Sequence, residues 1–205
     1  MKRIRVIAGA LVFLALAAFL QANGWLYYGL GIMHDEGRYV VRDHKKAAEY
    51  YIRAAEQGRA QAQYNLGVAY ERGDGVPQDY PESIRMYQSA ANQGLDIAQH
   101  NLAILYDNGR GISQNYEEAV RLYRLAAEQG FPQSQRNLGV MYEKGQGVTA
   151  DVFHAYLWSS ISANAGNTEA AQNRDNLATR MTSEQLENAQ KLVTECGERR
   201  FRGCV

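Results

Sequence analysis

The sequence predicts an all-α protein: an α/α superhelical solenoid of about four helix–turn–helix repeats of 36 residues, followed by a C-terminal helical cap. Three observations predict it. First, short strings recur at a spacing of 36: Glu56-Gln57-Gly58, Asn92-Gln93-Gly94 and Glu128-Gln129-Gly130; then Asn65-Leu66-Gly67, Asn101-Leu102-Ala103 and Asn137-Leu138-Gly139; then Tyr70, Tyr106 and Tyr142. Second, within an interval the apolar residues return on one face of a 3.6-residue period, as Ala62, Leu66 and Tyr70 do. Third, each interval is punctuated at the same place by paired glycines (Gly73/Gly75, Gly109/Gly111, Gly145/Gly147) and then by Asp79, Asn115 or Asp151. Glycine closes a helix and an Asx residue opens the next. A fixed period of this size marks stacked units, each too small to bury its apolar side alone.

The elements follow in order. Lys2, Arg3 and Arg5 precede Val6 to Leu20, an unbroken run of 15 apolar or small residues. That pattern reads as an export signal over 1–22, cleaved after Ala17 or Ala22, or as an N-terminal anchor left in place. The run is shorter than the ~20 residues that cross a bilayer comfortably. Repeats then occupy 23–58, 59–94, 95–130 and 131–166, the first in weaker form, with His34 and Tyr39 where the others have tyrosine and glycine. In each, a first helix (A) ends at the glycine pair and a second (B) begins after the Asx residue. Glu82 and Glu118, three residues beyond Asp79 and Asn115, complete capping boxes. Gly67, Ala103 and Gly139 sit in mid-helix, where glycine costs about 0.5–1 kcal/mol against alanine, so they mark close approach of Ser83, Ala119 and Ala155 on helix B. The stripe Leu66, Gly67, Tyr70, Leu102, Tyr106, Leu138, Gly139 and Tyr142 is expected to be structural, as are Tyr51, Tyr87 and Tyr123, their hydroxyls reaching water or a loop carbonyl. Residues 167–205 form the cap. Its Cys196 and Cys204, the only cysteines, enclose a nine-residue loop that reads as a disulfide in an exported chain and as free thiols in a reducing compartment.

Composition limits the function classes. A formal net charge of zero leaves no basic surplus to neutralise phosphates, which argues against nucleic-acid binding. His34, His44, His100 and His154 fall at different repeat positions without metal-ligand spacing. No nucleophile–base arrangement or phosphate loop is present, so neither a cofactor nor catalysis is expected.

The pattern Ala-x-x-x-Leu-Gly-x-x-Tyr-x-x-Gly-x-Gly-Val, then Asp, Ala and Tyr, then Ala-Ala-x-x-Gly, resembles the Sel-one-like repeat (SLR), a relative of the tetratricopeptide repeat. The tail around Met181–Gln190 is similar to the cap of bacterial members, with Thr182 and Gln185 placed for a capping box. The resemblance implies a non-catalytic scaffold that binds another protein or peptide. Such an array presents a concave face lined by the A helices. The residues next to the core stripe are Trp25, Tyr28, Tyr64, Val68, His100, Ile104, Arg136 and Val140, and these are the candidate partner-binding set. Tyr28, Tyr64, His100 and Arg136 share one repeat position yet differ in chemistry, as a surface shaped for one ligand would. The row Glu71, Asp107 and Glu143 reads either as a site for a basic segment or as ordinary last-turn residues. An exported, periplasmic or secreted location follows, with membrane contact only through an uncleaved N-terminus. The alternatives are a peptidoglycan- or glycan-binding envelope component that stacks sugars on Trp25 and Tyr28, and a hydrolase assembled across repeats.

Overall fold

The computed structural model describes residues 24–199 together with 201, 203 and 204. The expected export segment over 1–22 lies outside them. Among the described residues there are ten helices and no strand. The chain divides into two compact units, 1–93 and 94–205.

The first unit holds α1 (Trp25–Glu36), α2 (His44–Glu56), α3 (Ala60–Arg72) and α4 (Tyr80–Asn92). Each packs on the next, so α3 is shared between its own hairpin with α4 and a contact with α2. Ala47, Tyr51, Leu66 and Met86 form the buried centre, with Tyr28, Ile32, Ile52, Ala55 and Tyr70 against it. The second unit holds α5 (Asp96–Asn108), α6 (Tyr116–Ala127), α7 (Pro132–Lys144), α8 (Val152–Asn164), α9 (Thr168–Ala178) and α10 (Ser183–Glu198). Here too consecutive helices pack as far as α9, and α10 lies on α8. The α8 helix carries buried residues from Ala155 to Ser162 without a break, because neighbours cover it from several sides.

The helix starts explain the punctuation. Asp43, Asp79, Asn115 and Asp151 accept hydrogen bonds from the backbone N–H groups two or three residues on, opening α2, α4, α6 and α8. The capping boxes expected at Asp79/Glu82 and Asn115/Glu118 are only half made. The two glutamates pair instead with Arg85 (2.7 Å) and Arg121 (2.6 Å) one turn on. Thr182 and Gln185 make both halves. The α3, α5 and α7 helices have no side-chain cap.

Gly73 closes α3 in the left-handed region (φ 80°), its N–H donating to the Ala69 carbonyl. Gly75 is also left-handed (φ 76°), and a Cβ there would overlap the His44 carbonyl oxygen at the start of α2. Gly147 meets the Tyr116 carbonyl in the same way. This glycine therefore lets the loop of one repeat rest on the helix B of the repeat before it. Close helix approach occurs at Gly67 and Gly139. A Cβ on Gly67 would lie 2.7 Å from the Tyr87 ring, and one on Gly139 2.8 Å from Ser159 Oγ. The ring and hydroxyl one turn beyond Ser83 and Ala155 define the fit as much as those two residues do.

At the C-terminus Cys196 and Cys204 form a disulfide with Cα atoms 5.5 Å apart. Its loop sets the Phe201 ring beside Gly130, between α6 and α7.

Candidate functional site

The carboxylates of the acidic row already have partners within the chain. The Tyr51 hydroxyl donates to Asp35 (3.2 Å), Tyr87 to Glu71 (2.8 Å) and Tyr123 to Asp107 (3.2 Å), each pair joining helix B to helix A of one repeat. The tyrosine hydroxyls thus reach carboxylates, where water or loop carbonyls were expected. Asn65 and Asn137, from the following A helices, also bond the Tyr51 and Tyr123 hydroxyls. Burial and the adjacent carboxylate push both phenols well above their ordinary range. Burial likewise raises the Asp107 carboxyl. In the fourth repeat Ser159 stands in the tyrosine position, and Glu143 pairs with Arg180 instead (3.0 Å).

Two grooves open on the A-helix side, one in each unit. One, about 130 Å³, is lined by Asp35, His44, Asn65, Val68, Arg72 and Asp74 among others. The other, about 320 Å³, is lined by Asp107, Tyr116, Asn137, Val140, Lys144 and Gln146 among others. Residue by residue these are the same repeat positions, displaced by two repeats. The recurring frame is a carboxylate already bound to a tyrosine, an asparagine, a valine and a cation. The chemistry varies at two positions, His44 against Tyr116 and Asp74 against Gln146.

The structure separates the nominated surface residues. Val68 lines the first groove, and Arg136 and Val140 line the second. Arg136 also pairs with Glu169 at the start of α9 and donates to Asn137 (3.0 Å). Ile104 and Tyr64 are half-buried, the Tyr64 ring 5.8 Å from Tyr87. Trp25 is half exposed, but one face of its ring carries the Arg59 guanidinium at 3.2 Å, and the same group lies 4.7 Å from the Tyr28 ring.

His100 is a correction. It was expected on the open face and is 9% exposed. Its ring packs 4.9 Å from Phe131 and 5.8 Å from Tyr123, with Nδ1 2.8 Å from Ser134 Oγ. Burial holds its pKa down at about 4. The cause is a relation the repeat reading missed. In two repeats the residue just before the following A helix closes over the variable position 31 residues earlier: Arg59 over Tyr28 and Phe131 over His100. An apolar ring at 131 seals what it covers. The serine–histidine pair presents nothing to a substrate, since Ser134 has no exposed surface. Among the described residues no three His, Cys, Asp or Glu side chains converge as metal ligands.

Helical hairpins stacked in one register within each unit, with recurrent grooves and no converging reactive groups among the described residues, define the class as an α/α repeat scaffold. The Sel1 repeat model matches residues 27–58, 60–95, 96–131 and 132–167, and the chain belongs to the Sel1 repeat family, an α/α solenoid. A Sel1 repeat protein from Oxalobacter formigenes is 35% identical with a TM-score of 0.70, over 73% of this chain and 62% of that one. The protein c5321, a protective antigen of uropathogenic Escherichia coli with an SLR fold, is 27% identical with a TM-score of 0.55, over 90% of this chain and 47% of that one. This chain therefore spans less than two thirds of either relative. Helicobacter pylori cysteine rich protein B shares the fold, at 19% identity and a TM-score of 0.52, over 64% of this chain and 94% of that one. No curated protein matches. Sel1 repeat proteins are generally protein-interaction scaffolds and are typically non-catalytic.

Proposed function

We propose that the chain is a non-catalytic, protein-binding scaffold of the bacterial envelope that holds a protein or peptide through its A-helix side. The observation that carries this reading is the recurrence of a groove at equivalent positions in both units, with a shared carboxylate, asparagine, valine and cation beside positions that vary. Val68 and Val140 offer apolar contact there, while Arg72 and Lys144 stand beside carboxylates whose other bonds are internal. Basic residues before an apolar run at the N-terminus, together with the Cys196–Cys204 disulfide, support export, with 1–22 acting as signal or anchor. The glycan alternative loses support at Trp25 and Tyr28, because Arg59 already occupies one face of the Trp25 ring and lies against Tyr28.

The test begins with affinity capture from the native envelope fraction and continues with titration of the purified captured protein. Val68→Glu with Val140→Glu is expected to weaken binding at least tenfold, the loss of two buried apolar contacts at about 1 kcal/mol each. Leu125→Glu, an exposed site on helix B, is the control and is expected to bind normally. Undiminished binding by the valine variant, or sedimentation with purified peptidoglycan in place of a protein partner, refutes the reading.

A further inference from the structure

The first repeat ends in a surface that the second repeat does not have. In the second, Ala62 is fully buried and Gly75 rests on the backbone of α2. The equivalent residues are Leu26, 47% exposed, and Tyr39, 93% exposed. At the Asn65 position stands Gly29, with open space around its α-carbon. Thus two positions that meet a preceding helix B elsewhere carry larger, more apolar side chains here and are exposed, and the third is a glycine facing open space. Tyr39 also holds φ 64°, a conformation an aromatic residue rarely adopts, without burying its ring. Beside it Val41 is 88% exposed. Arg38, Arg42, Lys45 and Lys46 surround this loop. Arg38 pairs with Glu36 and Lys46 lies near Asp43, whereas Arg42 and Lys45 have no ion pair among the described residues.

We propose that this edge of the first repeat, centred on Leu26, Tyr39 and Val41, seats on an anionic phospholipid bilayer. Its chemistry is that of the membrane interface: an aromatic ring and aliphatic side chains for the acyl boundary, with lysine and arginine for the headgroups. Its position agrees, since only four residues separate the apolar run ending at Leu20 from Trp25, a span of at most about 18 Å. Charge favours the bilayer over a second copy of the chain, because a two-fold contact would gather two copies of the Arg42 and Lys45 charges at one interface, whereas acidic headgroups attract them. The contact is separate from any anchoring by the run itself and from the A-helix grooves.

The experiment uses the full chain, so that the N-terminal run is the same in every variant. Val41→Cys and, as control, Ser113→Cys in the equivalent region of the third repeat are labelled with an environment-sensitive dye under non-reducing conditions. Vesicles of phosphatidylglycerol and phosphatidylcholine in equal parts are compared with vesicles of phosphatidylcholine alone. The dye at 41 is expected to shift to the blue and resist an aqueous quencher only on the anionic vesicles, and the dye at 113 is not. Adding Arg42→Glu and Lys45→Glu is expected to reduce the binding constant at least about twenty-five-fold, about fivefold for each charge removed. Equal behaviour at 41 and 113, protection that survives the charge reversal, or protection already present without vesicles in a dimeric chain overturns the proposal.

Discussion

Replacing Gly75 with alanine tests whether the repeat interval is a physical stacking distance. Two costs apply, and a neighbouring glycine separates them. Both Gly73 and Gly75 are left-handed, so a Cβ at either costs about 1–2 kcal/mol in backbone conformation. At Gly73 the new methyl meets nothing closer than 3.5 Å, and that cost stands alone. At Gly75 it overlaps the His44 carbonyl and lies 2.7 Å from the Lys45 nitrogen, both backbone atoms held in the first turn of α2. The repeats must shift apart or the loop must rebuild, adding an overpacking cost of about 1–3 kcal/mol. Gly73→Ala is therefore expected to lose about 1–2 kcal/mol, and Gly75→Ala about 2–5 kcal/mol. Tyr39→Gly, at the same repeat position with no described unit before it, is expected to gain about 1 kcal/mol in solution. Urea unfolding followed by helical circular dichroism, fitted with a nearest-neighbour scheme suited to repeats, measures all three. Equal losses at 73 and 75 would refute the claim that the loop of one repeat rests on the helix of the last.

Two further outcomes follow. His100 has a folded pKa of about 4 against an ordinary 6.5. It is neutral in the folded chain and protonates on unfolding, so the stability it contributes is present above 6.5 and is lost as pH falls toward 4. Between pH 7 and 5 the loss is about 2 kcal/mol, and His100→Gln is expected to remove that part of the slope; an unchanged slope would contradict the buried, neutral ring. Reducing the Cys196–Cys204 disulfide opens a short loop worth about 2–3 kcal/mol in chain entropy. Hydrogen exchange is expected to quicken at the end of α10 and around Gly130, where Phe201 docks, and to stay unchanged in α1–α4.

Much of this protein is readable locally. Helix limits, Asx caps and glycine stops depend on residues within a turn of one another, so Asp79, Gly73 and Thr182 declare their roles in the sequence. The core stripe is equally legible, because one helix face has a fixed phase. The capping glutamates show where local reading stops: Glu82 has two partners in reach, and the arginine one turn on prevails over the backbone. Surface assignments stop sooner still. Whether a variable position such as that of Tyr28, His100 and Arg136 is open depends on a side chain 31 or more residues later, in the next repeat. Arg59, Phe131 and Glu169 make three different lids there.

The sequence alone determined the period, the paired helices and the identity of the core, since each is a property of short-range geometry repeated. Only tertiary structure decided that Glu71 and Asp107 serve buried tyrosine hydroxyls, that His100 is sealed, and that the first repeat leaves Leu26 and Tyr39 exposed. Those outcomes are set by what packs across the interval between repeats, and a side chain's neighbours there are distant in the chain. Burial is a property of the stacked pair, and neither member carries it by itself.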